Sequence, residues 1–64
     1  MTVYDFLYLC TDDSVVIQIW DQAQESIVAV CEIRDAMYGD YADYELDSFD
    51  ICEQGLILNI DTGE

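Results

Sequence analysis

The chain has no lysine, no histidine and one arginine, Arg34, against 15 acidic side chains in 64 residues. Without histidine or lysine there is no general base for a Ser/His or Cys/His nucleophile. A phosphate backbone normally takes several basic contacts, so a formal net charge of -14 disfavours stable binding to nucleic acid. Anionic membranes are disfavoured by the same long-range repulsion, whereas a basic protein surface would draw this molecule in with a salt-dependent on-rate. Glycine-rich phosphate loops are absent, and so is the Asp-x-Asp-x-Asp-Gly spacing of an EF-hand. No apolar run approaches the roughly 18 residues that span a bilayer, and the N-terminus carries no basic segment of the signal-peptide type. The expectation is a cytoplasmic protein with no membrane association.

Cys10, Cys31 and Cys52 form an odd set with no Cys-x-x-Cys spacing, each inside an apolar stretch. They read as small buried hydrophobes in a reducing compartment, not as a disulfide framework or a zinc site. No cationic neighbour is available to activate their thiols. At 53% hydrophobic, with five Tyr, two Phe and one Trp, the chain is too apolar for a disordered acidic tail. It is expected to fold as a single domain, residues 1–64, around one small core.

The apolar pattern is period 2 or falls in short continuous runs, which predicts strands. "VYDFLYLC" (3–10) is apolar on both faces apart from Asp5, and reads as a strand covered on two sides. The "TDDS" turn (11–14), a strand "VVIQIW" (15–20), a looser "DQAQES" connection and a strand "SIVAVCEI" (26–33) follow. Asp35 is a candidate N-cap for a short helix or helical turn through Ala36, Met37, Tyr38, Tyr41 and Ala42, with an ordered loop as the alternative. "YELDSFDI" (44–51) resumes as strand, but Tyr44 and Leu46 have one parity and Phe49 and Ile51 the other, which predicts a bulge near Ser48. "CEQG" turns the chain into "LILNI" (56–60), before a frayed "DTGE". The resulting fold class is α+β, mainly β: a five-stranded antiparallel meander with one short helix or helical turn between strands 3 and 4. Its two-sided apolar strands point to a homo-oligomer.

Two chemistries remain open. Clustered carboxylates hold Mg²⁺ or Mn²⁺, and such an ion supplies both electrophile and activated water. Asp12 and Asp13 are one candidate metal pair; Asp47, Asp50 and Glu53 are another group. The alternative is mimicry without catalysis. Asp35, Asp40, Asp43, Glu45, Asp47, Asp50 and Glu53 follow one another with no counter-charge, interleaved with Tyr38, Tyr41 and Tyr44. Carboxylates so spaced imitate the phosphate rails of a duplex, and the rings supply contact area at low entropic cost. Asp40, Asp43, Glu45, Asp47 and Asp50 make the expected partner-binding surface, unless they serve only to keep the protein soluble.

The stretches "VYDFLYLCTDDS", "VVIQIWD", "AMYGDYADYELDSFD" and "GLILNID", together nearly the whole chain, resemble small acidic proteins of prophages and conjugative elements of gut Clostridia and related Firmicutes. Within that setting the chain is similar to type II-A anti-CRISPR proteins. The resemblance implies a bacterial host cytoplasm and a type II CRISPR effector nuclease or supercoiled DNA as partner. Some such proteins are acidic DNA mimics that occupy the effector's basic PAM-reading surface. Another group, similar to the β-rich coactivator-like nucleic-acid-binding fold, is oligomeric and nicks supercoiled DNA, removing the negative supercoiling that favours R-loop formation. For that group the resemblance implies Asp12 and Asp13 as catalytic metal-holding acids. Three readings therefore stand: a metal-dependent nickase, a non-enzymatic acidic decoy, and an accessory β-domain of a mobile element.

Overall fold

The structure, a computed structural model, describes residues 1–53 and 55–63. Its first element departs from the sequence expectation: Val3–Tyr8 is an α-helix, α1, not a strand. A nearly continuous apolar run fits either period, so its pattern does not decide between them. The start signal does. Thr2 Oγ1 accepts the Asp5 amide at 3.1 Å, and Asp5 Oδ2 accepts the Thr2 amide at 3.1 Å, a reciprocal capping box. Helical spacing then buries Val3 and Leu7 together and stacks Tyr4 on Tyr8 at 6.1 Å on the outer side.

Four strands make up the sheet among the described residues: β1 (Val16–Asp21), β2 (Ser26–Glu32), β3 (Ser48–Cys52) and β4 (Gly55–Ile60). A second short helix, α2 (Ile33–Ala36), lies between β2 and β3, the interval in which the sequence predicts one. Glu32, not Asp35, is its N-cap; Asp35 falls in the first turn.

The strand order is β2-β1-β4-β3, with β1 antiparallel to β2, β3 antiparallel to β4, and β1 parallel to β4. The five-stranded antiparallel meander is thus corrected to a four-stranded mixed sheet. A meander would leave β4 at the rim, but β4 carries Leu58 and Ile60, both fully buried, while all five residues of β3 are exposed. Placing the apolar strand centrally and the "SFDIC" strand at the rim buries more surface and leaves a short, charged edge.

The predicted strand 44–51 is shorter than expected because its two halves have different partners. Tyr44 and Leu46 bond the N-terminal residues (Val3 N to Tyr44 O 2.9 Å, Leu46 N to Met1 O 2.9 Å), and Glu45 bridges Thr2. From Ser48 onward the chain pairs with β4 in unbroken register. The parity change at Ser48 is therefore a change of partner, not a bulge; the bulge lies in the β1–β2 hairpin, between Ile19 and Trp20. The predicted turn "CEQG" and tail "DTGE" include Gln54 and Glu64, which lie outside the described residues.

Alternation sends Ile17 and Ile19 of β1 and Leu58 and Ile60 of β4 to one face, where Val3, Leu7, Ile33 and Ala36 close the core over them. The opposite face carries Val16, Val30 and Ile27, all exposed, with half-buried Trp20 and Ile57. The thinnest extent of 16 Å fits a single helical layer on a single sheet. One face is packed and the other open.

Leu58→Ala is expected to destabilise the protein by about 2–5 kcal/mol in urea unfolding, as for other buried leucines. Ile51→Ala, at the rim and 79% exposed, is expected to cost less than about 0.5 kcal/mol. Equal costs would contradict the strand order.

Candidate functional site

Asp12 and Asp13, expected in a turn between two strands, sit instead on the loop joining α1 to β1. Asp12 Oδ1 accepts both the Ser14 hydroxyl at 2.6 Å and the Ser14 amide at 3.0 Å. Those two bonds, in that order, hold the Asp12 carboxyl below its ordinary pKa against slight desolvation, with a smaller contribution from Arg34. Asp13 Oδ1 lies 3.3 Å from Arg34 Nη2, and Arg34 Nε lies 3.1 Å from Glu32 Oε2. The chain's only guanidinium is thus held between two acids at the start of α2. All three side chains are largely exposed, so the pairs contribute little stability. Their effect is on charge: among the described residues the ion-pair partners of Arg34 are Asp13 and Glu32, not the acids after residue 35.

The second acidic group does not assemble either. Asp47 Oδ2 accepts the Gln22 side-chain amide at 3.1 Å, and Asp50 Oδ2 accepts that of Asn59 at 2.9 Å. Asp50 pairs with Ile57 across β3 and β4, on the open face of the sheet. Asp47 lies at the strand's start, beside the β1–β2 hairpin. Among the described residues no three Asp, Glu or Cys side chains converge as metal ligands.

The five predicted partner-binding acids are all exposed, but they do not share one plane. Asp40 and Asp43 lie on the turns after α2, on the helical side. Glu45 Oε2 lies 3.1 Å from the Met1 ammonium. With Asp47 beside the hairpin and Asp50 on the sheet face, the acids wrap around the molecule from α2 to β3. Aromatic and apolar side chains are interleaved as the sequence predicts: Tyr38 is 84% exposed, Tyr44 is exposed and 5.9 Å from half-buried Tyr41, and Phe49 packs at 5.0 Å on Phe6 of α1. Cys52 is exposed, contrary to its expected burial, while Cys10 and Cys31 are partly buried. Burial, and secondarily the Asp35 charge, pushes the Cys31 thiol pKa up, so it is not activated.

Two features were not foreseen. The turn after α2 and the inner face of β2 form an open-mouthed cavity of about 190 Å³; no local motif announces it, because it is made by tertiary contact. The other is Asp21, at the end of β1, whose side chain is fully buried. Its Oδ1 accepts the amides of Ala23 at 3.0 Å and Thr62 at 3.1 Å, and Oδ2 accepts the Thr62 hydroxyl at 2.7 Å. Its parity on β1, the same as Ile17 and Ile19, was the available signal.

No family model matches the chain, and neither a curated protein nor a solved structure shows significant similarity to it. No helix among the described residues is long and apolar enough to cross a membrane.

Burial raises the Asp21 pKa, but the Thr62 hydroxyl, the Thr62 and Ala23 amides and the Gln24 side chain outweigh it and leave the carboxyl below its ordinary value. A folded pKa below the unfolded one stabilises above the unfolded value, near pH 4, and that stability is lost as pH falls through the folded value. Asp21→Asn should therefore lower Tm at pH 7, and the gap between variant and wild type should narrow as pH falls from 4 to 2. A thermal melt series showing the wild-type slope in the variant would remove Asp21 from the acid response.

Proposed function

We propose that this protein is a non-enzymatic acidic decoy that binds the basic surface of a nucleic-acid-handling protein, with a type II CRISPR effector nuclease as the class of target. The observation that carries the reading is the charge arrangement from residue 35 to residue 53. Asp40, Asp43, Glu45, Asp47, Asp50 and Glu53 are all exposed, and the sole guanidinium is held by Asp13 and Glu32. Opposite charge on a partner gives fast, salt-sensitive encounter, and exposed Tyr38 and Tyr44 beside the acids supply the aromatic contacts that dominate interface energy. The wrapped distribution of the acids favours a concave, groove-like basic partner, as a duplex channel is, over a flat one.

Metal-dependent nicking of supercoiled DNA has weaker support. Asp12 and Asp13 are each engaged, by Ser14 and by Arg34, and no third carboxylate joins them among the described residues. Self-association belongs to the same proposal at a different surface: the open sheet face around Val16, Ile27 and Val30 would pair copies while leaving the acids of the 37–47 turns free.

The test is a cleavage assay with a type II effector nuclease and linear target DNA, with the protein added before the DNA. Linear DNA has no supercoiling to lose, so inhibition there reports binding to the effector. The wild type should inhibit, and its apparent affinity should fall at least tenfold between 50 and 200 mM salt. Asp43→Asn/Glu45→Gln/Asp47→Asn should bind about tenfold more weakly with a flatter salt dependence. Protection confined to supercoiled plasmid, dependent on Mg²⁺ or Mn²⁺ and on Asp12, would instead support nicking.

A further inference from the structure

The cavity behind the turn after α2 has a composition that the acidic surface alone does not explain. Ile19 of β1, Ala29 of β2 and Ala36 of α2 line it with apolar surface, and two acidic residues and a tyrosine, Asp35, Asp40 and Tyr41, complete the lining. Neither carboxylate has an ion-pair partner among the described residues, since Arg34, adjacent in sequence, is drawn to Asp13 and Glu32. Asp35 is close enough to the partly buried Cys31 thiol, which also lines the cavity, for its charge to bear on that group. The turn itself is fixed by backbone bonds from Tyr38 to Asp35 at 3.2 Å and from Gly39 to Ala36 at 3.2 Å. Gly39 stands on the wall where an added Cβ would come within 3.4 Å of the Asp35 carbonyl.

An apolar interior with unpaired carboxylates and an aromatic ring suits a side chain with an aliphatic stem and a cationic head. We infer that this cavity is a pocket for an arginine side chain of a basic partner, the stem lying against Ile19, Ala29 and Ala36 and the guanidinium meeting Asp35, Asp40 and the ring of Tyr41. Arginine fits better than lysine. Its planar fork bonds two carboxylate oxygens at once and stacks on an aromatic face, whereas an ammonium is more strongly hydrated and acts as a point charge. Its methylenes cover apolar surface while the head stays at the polar mouth. The inference deepens the decoy reading by supplying the short-range specificity that long-range charge attraction lacks, and it rests on that reading for the identity of the partner.

The probe is acetyl-glycyl-arginyl-glycinamide, titrated into the isotope-labelled full chain and followed by two-dimensional amide NMR, with the lysyl and the neutral citrullyl analogues alongside. The arginyl peptide should shift the amides of Ala29, Cys31, Ala36 and Gly39 in a saturable way. The lysyl analogue should bind several-fold more weakly and the citrullyl analogue at least tenfold more weakly. Asp35→Asn/Asp40→Asn should weaken the arginyl peptide at least tenfold, and Ala29→Met, which fills the interior, should abolish the localised shifts in a protein whose thermal melt stays cooperative. Shifts spread over all the acids, or identical responses to the arginyl and lysyl peptides, would overturn the pocket. Because no partner is present, the result is independent of the cleavage assay. An inhibiting protein with a silent cavity overturns the pocket alone, and a filled cavity on a protein that does not inhibit overturns the decoy alone.

Discussion

The parallel pairing of β1 with β4 is the contact on which the rest of the fold depends. Among the described residues, Ile17, Ile19, Leu58 and Ile60 of these two strands make half of the buried core cluster, and Val3, Leu7, Ile33 and Ala36 of α1 and α2 close over them. A chain of 64 residues is long enough to cover only one face of such a sheet. Once β1 and β4 take the centre, β2 and β3 are confined to the rims, and the connection from α2 to β3 must cross the helical side. That connection is the tyrosine- and acid-rich segment. Its path over the N-terminal residues, fixed by bonds from Tyr4 to Ala42 and from Val3 to Tyr44, is what distributes the acids around the molecule.

Asp21 ties the end of that central pair to the chain beyond β4. A buried carboxylate is tolerable when its oxygens are satisfied, and here two amides and a hydroxyl do so. The remaining acids have the opposite problem: they are solvated but crowd one another, with one guanidinium and the Met1 ammonium as the only paired cations. Mutual repulsion on this scale opposes folding. A protein that retains it either gains solubility for its open apolar face or uses the field to meet a basic partner. On the proposed reading the second applies, with exposed Tyr38 and Tyr44 as the rings that would meet the partner.

Much of this was legible in the residues, and the failures have physical causes. β1, β2 and β4 follow from period-2 or continuous apolar patterns ended by polar turns, but α2 (Ile33–Ala36) starts inside the expected strand 26–33, and Met37, Tyr38, Tyr41 and Ala42 lie in turns, the ordered-loop alternative. Val3–Tyr8 reads as a strand because an apolar run satisfies both periods; the signal that decides for a helix is the local Thr2–Asp5 box. Strand order was out of reach for a different reason. Adjacent strands usually pair, and only the comparison of Leu58 and Ile60 with the exposed "SFDIC" strand argues for inserting β4 between β1 and β3. Exposure of the acids was readable, but their division among the turn, the hairpin side and the open face was not, since it depends on that crossover. The engagement of Asp12 by Ser14 is implicit in the Asp-x-Ser spacing of a polar turn. The capture of Arg34 by Asp13 is not, because it needs the loop and α2 to meet.

An uncompensated acidic surface retained at a cost in stability should answer to salt in the thermal melt of the isolated protein, as NaCl is raised from about 20 to about 500 mM at pH 7. Screening shortens the Debye length from roughly 20 Å to about 4 Å over that range, so repulsion among the acids should be relieved and Tm should rise by several degrees. The rise should be smaller in Asp40→Asn/Asp43→Asn/Asp50→Asn. A Tm independent of salt, or the same rise in the variant, would contradict the account.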